Sequence, residues 1–470
     1  MITAMIAMFA LGYLAIALEH NIGINKAPIA VALGVILWIM YMFLGDAEII
    51  SANEIDFEHF LSGNPELTAV PIAQQCAKFV TNFQLAEHLG DTVQIVLYLI
   101  AAMAIVEMID IHGGFSVITN RITTKSKRKL LWIVAFITFF MSAVLDNMTS
   151  AIVMTMLLRK LVSIKRERWI FAGIIIISAN SGGAWTPTGD ITTIMLWMAE
   201  KLTTINLMKT LFLPSVVSLI VPLSICTFWL NRKPLAAPSI TAKQNALSYL
   251  NRKAKLSIFL LGIFGLLFIP IFKAITGLPP FMGALLVFAF IWIYIELMYN
   301  RLRDIPYQHQ HRMSEVLGRI DISTAIFFLG ILMAVSALQS AGVLAAASEF
   351  LDTNVRNVYV INSIIGIMSS IVDNVPLVAG AMGMYPTLNV EAIATAGDSA
   401  YMLNFIEDGV FWQLLAYCAG VGGSILIIGS AAGVVVMGIE RITFAWYLKK
   451  FSPVVLLGYF AGILVHFIAT

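Results

Sequence analysis

Met141-Ser-Ala-Val-Leu-Asp146-Asn147 returns 227 residues later as Met368-Ser-Ser-Ile-Val-Asp373-Asn374, which marks an internal repeat. Each copy sits inside an apolar run, residues 130–158 around the first and 357–387 around the second. A bilayer core of roughly 30 Å takes about 20 helical residues per crossing. A run of 29 residues is too long for one crossing and too short for two, so its ends must share a face. The flanking charges agree. Residues 121–129 contain Arg121, Lys125, Lys127, Arg128 and Lys129 with no acid, and 159–168 contain Arg159, Lys160, Lys165, Arg166 and Arg168 against Glu167. Short loops of that kind lie in the cytoplasm. The first Asp-Asn pair is therefore expected at the turn of a re-entrant hairpin entering from the cytoplasmic side.

The same rule orients the rest of the chain. Residues 46–91 carry eight acids and one Lys, and 389–408 carry Glu391, Asp398, Glu407 and Asp408 with no base; both belong outside. Residues 232–255, with six bases and no acid, and 301–319, with four Arg against Asp304 and Glu315, belong inside. The second hairpin then enters from the outer face, and the spans before the two hairpins, 92–111 and 322–340, run in opposite directions. The sequence predicts an all-α polytopic membrane protein of two inverted-topology repeats, 1–230 and 256–470, joined by a cytoplasmic linker at 231–255 containing Pro234 and Pro238, with both termini outside. Each repeat carries one hairpin and one broken transmembrane helix. The broken helices are 169–200, with Ser178-Ala-Asn-Ser-Gly-Gly-Ala-Trp-Thr-Pro-Thr-Gly-Asp190, and 410–447, with the glycine-rich stretch Gly420 to Gly433. Inverted halves with discontinuous helices are the design of many secondary transporters.

Composition supports this class and excludes others. Of 470 residues 59% are hydrophobic and only 12% charged, too few ionic groups to solvate a soluble globule of this size. A nucleic-acid binder, a secreted disulfide scaffold and a cytosolic enzyme are ruled out. Cys76, Cys226 and Cys418 form no CxxC pair and read as small core residues. No cofactor is expected.

An ionised Asp at the centre of a membrane helix costs about 3 kcal/mol on insertion scales, so such an Asp is a functional candidate. Asp146, Asp190 and Asp373 qualify. Hard cations take carboxylate, amide, hydroxyl and carbonyl oxygens. The sequence supplies them as Asn147, Thr149 and Ser150 in the first hairpin and Ser369, Ser370 and Asn374 in the second. The broken helices add Asn180, Ser181, Thr186, Thr188, Thr192 and Thr193 in one half and Ser424 and Ser430 in the other. The bland explanation of Asp-Asn is helix capping, and that of the glycine stretches is close helix packing. A cap in lipid can be Ser or Asn without a charge penalty, which favours function at the hairpins. His309 and His311 lie in a cytoplasmic loop, where a solvated surface competes with pH sensing.

Leu145-Asp-Asn-Met-Thr-Ser150, the Asn180 to Asp190 stretch with Ile191-Thr192-Thr193, and Val372-Asp373-Asn374 resemble the NhaD-type sodium/proton antiporters of the ion transporter superfamily. The resemblance covers nearly the whole chain. It implies that Asp146, Asn147, Asn180, Asp190, Thr192, Thr193, Ser369 and Asn374 take part in Na⁺ or Li⁺ transport, with serines near the second broken helix mapped to Ser424 and Ser430. It also implies a homodimer in a bacterial cytoplasmic (inner) membrane and a role in pH homeostasis.

The mechanism expected is competition of Na⁺ and H⁺ for buried carboxylates, with Asp146 and Asp373 exchanging them and Asp146, Asn147, Asp373 and Asn374 holding the metal ion. Asn147, Asn180, Asn374, Thr192 and Thr193 then serve as neutral ligands or positioners, and Asp190 is a third titratable group of open role. A sodium-coupled carboxylate or oxyanion carrier on the same scaffold is the nearest alternative, disfavoured because no Lys or Arg falls mid-span to balance a dianion. An intramembrane aspartyl protease fits less well: Thr188-Gly189-Asp190 lacks the first glycine of a GxGD motif, where Pro187 stands.

Overall fold

The computed structural model describes residues 1–17, 19–116, 124, 126–230, 250–301, 310–371, 373–388 and 399–470. Arg121, Lys125, His309, Asp304, Glu391, Asp398 and most of the 231–255 linker lie outside the described residues. Within them the chain is helical and contains no strand. Omitting single turns, the helices are α1 Ile2–Ala17, α2 Lys26–Met42, α3 Asp46–Ala52, α4 Glu54–Gly63, α5 Ile72–Phe79, α6 Leu85–Ile111, α7 Lys127–Ser142, α8 Asn147–Leu161, α9 Lys165–Gly183, α10 Ile191–Met198 and α11 Thr204–Trp229. They continue as α12 Arg252–Thr276, α13 Pro280–Arg301, α14 Met313–Arg319, α15 Ile322–Ser340, α16 Val343–Asn354, α17 Val358–Ser369, α18 Asn374–Met384, α19 Val410–Gly422, α20 Ala431–Glu440, α21 Phe444–Lys450 and α22 Ser452–Ala469. Six helical segments are long and apolar enough to cross a membrane, or eight if the bent pairs α2/α3 (108°) and α20/α21 (116°) each count as one. This is a multi-pass membrane protein.

The predicted first hairpin turn falls at residues 143–146, between α7 and α8, whose 16 and 15 residues make arms about 24 and 22 Å long. Two boundaries differ from expectation. The segment 46–91 is not a plain outer loop: α3 and α4 lie in it, and helix runs without interruption from Ile72 to Ile111 through a π-helical turn at Val80–Gln84. Glu87 and Asp91 lower the local hydropathy without breaking that helix. The second broken helix stops at Glu440, because Arg441 takes a left-handed conformation (φ 53°) and closes α20; α21 is a separate helix.

The chain forms two compact units. The first comprises residues 1–97, 321–357 and 375–386. In it α2 and α15 cross at Gly34 and Gly330, where an added Cβ on Gly330 would overlap the backbone of Ala30 and Val31; small residues let membrane helices approach this closely. The Trp38 indole donates to the Met333 carbonyl (2.9 Å) across the same crossing.

The second unit comprises residues 98–320, 358–374 and 387–470 and holds the four broken-helix segments. Helix α7 packs on α9, and α17 packs on α19. Gly182 leaves room for the Phe139 carbonyl, as Gly422 does for the Gly366 carbonyl. Ser142 Oγ donates to Ala179 O (2.6 Å), and Ser369 Oγ donates to Ala419 O (2.8 Å). The hairpin members of these pairs are 227 residues apart and the broken-helix members 240.

Candidate functional site

Helix α9 gives way to irregular backbone at residues 184–190 before α10, and α19 does so at 423–430 before α20. Prolonging the first helix is prevented by Pro187, which cannot donate into a helical ladder, and by Asp190, which caps α10. The Asp190 Oδ1 accepts from the Thr192 backbone N–H (3.2 Å), and the Thr193 hydroxyl bonds back to the Asp190 carbonyl (2.7 Å). Ser430 caps α20 in the same manner, accepting from the Gly433 N–H (3.1 Å).

A polar chain, all of it in the second unit, joins the two breaks. Asn147, the residue after the first hairpin turn, donates to Asp190 Oδ2 (3.0 Å) and to Asn180 Oδ1 (3.1 Å). Asn180 in turn donates to Ser424 Oγ (2.8 Å) and Ser430 Oγ (2.9 Å). Asn374, from the second hairpin, reaches Asp190 Oδ1 at 3.5 Å. All six residues are buried, Asp190 to 1% exposure. The two hairpin asparagines thus meet on the carboxylate of the first break, and the second break joins them through Asn180.

The other sequence-predicted residues are placed differently. Asp146 is half-buried and caps α8, accepting from the Thr149 N–H and the Thr149 hydroxyl, both at 2.7 Å; the capping explanation describes its geometry. Asp373 is also half-buried. Both lie within electrostatic range of Asp190. Ser369 is spent on the Ala419 carbonyl, and Thr192 and Thr193 act through the start of α10. His311 pairs with Glu315 at 2.8 Å in the described part of its loop, away from these residues in sequence and in hydrogen bonding.

Sequence reading missed two contributors, Ser142 and Tyr447, and named a third, Thr186, without its partner. Ser142 ties the hairpin to the Ala179 carbonyl. Thr186 Oγ1 donates to the Ala143 carbonyl (2.6 Å), fastening the first break to the hairpin turn. The Tyr447 hydroxyl donates to the Ser424 carbonyl (2.8 Å). A comparison of the broken helices at an offset of 240 aligns Gly182-Gly183 with Gly422-Gly423 and Gly189-Asp190 with Gly429-Ser430. That signal was available for Asp190; none announces Tyr447.

Chemically, the cluster is a carboxylate held by neutral amides, with further amide and hydroxyl oxygens one bond away. Burial of an ion is costly unless it is paired and hydrogen-bonded. Among the described residues no Lys, Arg or His side chain hydrogen-bonds to this network. The charge of Asp190 is left for a cation or a proton to balance.

A sequence profile of the citrate transporter family (CitMHS) matches residues 2–403. Sodium/proton antiporter 1 of Arabidopsis thaliana is 40% identical over 98% of this chain and 72% of its own length. Sodium/proton antiporter 2 of the same plant is 39% identical over 98% of each chain. The Na(+)/H(+) antiporter NhaD of Vibrio cholerae is 29% identical over 98% of this chain and 91% of its own. Profile and relatives together assign the chain to the citrate transporter family, where it groups with the NhaD-type sodium/proton antiporters.

Proposed function

We propose that this protein exchanges Na⁺, or Li⁺, for H⁺ by alternating access, with Asp190 as the carboxylate that cation and proton occupy in turn. One observation carries the reading: Asp190 is a buried acid in the first helix break that takes the Asn147 and Asn374 amides of both hairpins and is linked through Asn147 and Asn180 to the serines of the second break. Asn147, Asn180, Ser424 and Ser430 can turn oxygens toward an alkali ion there. Asp146 and Asp373 flank the site, add negative potential, and relay ions or protons from the two faces. The names of the relatives support the same exchange. The protein is a transporter and not an enzyme.

Because a cation needs the ionised acid and a proton removes that charge, Na⁺ affinity falls as pH falls, the linkage known for metal sites. A site neutralised by either ion can cross the bilayer without exposing bare charge to lipid, and alternating access then shifts the loaded site between faces. Loop charge supports both termini lying outside. The resemblance supports a homodimer in a bacterial cytoplasmic membrane; the plant relatives, named for the same exchange, leave a membrane outside bacteria open to it.

The family's name favours a second reading, a sodium-coupled carboxylate carrier. A dianion beside Asp190, with Asp146 and Asp373 in range, would be repelled, and no basic side chain among the described network residues compensates. The test is dye dequenching in everted vesicles on addition of Na⁺, Li⁺ and K⁺ across a pH series. Na⁺ and Li⁺ should evoke a signal that strengthens with rising pH, and Asp190→Asn should abolish it at normal membrane levels. Sodium-driven uptake of labelled citrate, or full antiport in Asp190→Asn, would sink the proposal.

A further inference from the structure

The basic face at the ends of α8 and α20 has more positive charge than its acids can use. Glu440, 2% exposed, lies between Arg168 (2.8 Å) and Arg159 (3.6 Å), and Glu167 is paired with Lys127 (2.6 Å). Lys165, Arg166, Arg441, Lys449 and Lys450 remain exposed, with no ion pair to any of them among the described residues. One of them lies on a tryptophan pair, and the others adjoin its two rings in sequence. Lys165 Nζ lies 5.5 Å above the Trp169 ring, Trp169 and Trp446 meet edge to face at 5.1 Å, and the Trp169 indole donates to the Glu440 carbonyl (3.1 Å). Tryptophan belongs at the depth of lipid headgroups.

Helix α21 leaves the direction of α20 by 116°. It exposes Phe444 and Leu448, buries Tyr447, and ends in Lys449 and Lys450. Apolar residues beside terminal bases are the pattern of a helix lying in the membrane interface. Its buried tyrosine is not idle: Tyr447 donates to the carbonyl of Ser424, whose hydroxyl accepts from Asn180. Two hydrogen bonds separate this surface helix from the ion site.

We infer that this face binds the phosphate headgroup of an anionic phospholipid, and that the bound lipid steadies α21 so that Ser424 is presented to Asn180. Charge complementarity selects an anion, since near-surface Lys and Arg attract acidic lipids. The exposed Phe444 and Leu448 beside those bases select an anion that carries acyl chains over a soluble phosphate. The binding claim is independent of the transport reading; the coupling claim rests on it.

Native mass spectrometry of the purified full-length protein, offered phosphatidylglycerol or phosphatidylcholine, tests the first claim. The intact protein should retain phosphatidylglycerol at least five-fold over phosphatidylcholine, and Arg166→Gln/Lys449→Gln/Lys450→Gln should lose that preference. Equal retention of the two lipids, or an unchanged preference in the triple variant, would mean that the bases serve topology alone and would overturn the site. In proteoliposomes, phosphatidylglycerol should raise the Na⁺-evoked rate about three-fold in the native protein and not in the triple variant. Tyr447→Phe should keep lipid retention and lose the rate gain; a normal gain in that variant refutes the coupling. Inorganic phosphate at millimolar concentration should do neither, and if it reproduces the gain the ligand is a soluble anion and not a lipid. Absence of Na⁺ exchange under all conditions would refute the antiport reading and leave the retention result to decide the site.

Discussion

Asp190 and Ser430 hold the same place in two broken helices and differ in charge. Their backbones agree closely, φ −142° and ψ 147° against φ −141° and ψ 151°, and each side chain caps the helix that follows. The second half therefore shows that a hydroxyl suffices to restart a helix at this position. What the carboxylate adds in the first half is not required by capping, and a buried charge that local structure does not need has to be explained by chemistry. The hairpins present a milder contrast. Asn147 reaches Asp190 at 3.0 Å and Asn374 at 3.5 Å, so the two tips serve one acid unequally.

The sharpest way to break the comparison is to erase it. Asp190→Ser copies the second half into the first, and should leave the thermal midpoint of the purified protein within a few degrees while abolishing Na⁺-evoked dequenching. Residual exchange above one-tenth of the native rate would show that the charge is dispensable. Ser430→Ala, by contrast, should keep measurable exchange, because it removes a cap and one acceptor for Asn180 but no charge.

Next in size are the glycines. A methyl on Gly182 would meet the Phe139 carbonyl and one on Gly422 the Gly366 carbonyl. Overpacking of this kind costs about 1–3 kcal/mol, and here the obstacle is backbone, which yields little. Gly182→Ala and Gly422→Ala should lower the thermal midpoint by similar amounts. A large drop in one and none in the other would show that the paired contacts are not energetically equivalent. Asn180→Ala comes third. It strips donors from Ser424 and Ser430 and an acceptor from Asn147, and unmade buried hydrogen bonds cost about 1–3 kcal/mol. The apparent Na⁺ affinity, read from dequenching titrations, should weaken about ten-fold; an unchanged affinity would remove Asn180 from the site.

Much of this was legible in the residues alone. Length and flanking charge located the first helix pair, because 29 apolar residues bounded by bases at both ends admit few other arrangements. The sequence singles out Asn147, Asn180, Ser424 and Ser430 as polar groups in apolar segments, and the structure links them in one hydrogen-bond chain. The sequence does not rank the acids. A sequence shows that Asp146 sits beside Asn147 but not that Thr149 satisfies both of its oxygens, nor that Asp190, 44 residues further on, is brought back to Asn147 by the packing of α8 on α9. Local patterns report which groups are costly in lipid; which of them is solvated by its own helix and which by distant amides is decided by packing.

The smallest effect tests whether the two hairpins are held alike. Ser142 and Ser369 each donate one buried hydrogen bond to a carbonyl of the neighbouring broken helix, at 2.6 and 2.8 Å. Replacing either by Ala deletes a bond worth about 1 kcal/mol, so Ser142→Ala and Ser369→Ala should lower the thermal midpoint by equal, small amounts. Their effects on transport should diverge. Ser142 lies five residues before Asn147, as Ser369 lies five before Asn374, but the Asn147 amide is the closer partner of Asp190 and also holds Asn180. Loosening the first hairpin therefore disturbs two contacts of the site, and loosening the second disturbs one long contact. The apparent Na⁺ affinity should fall two- to three-fold in Ser142→Ala and less than that in Ser369→Ala, measured in the same vesicles at matched expression. A larger loss in Ser369→Ala would put the weight of the site on the second hairpin, and with it move the principal exchanging role from Asp190 toward Asp373.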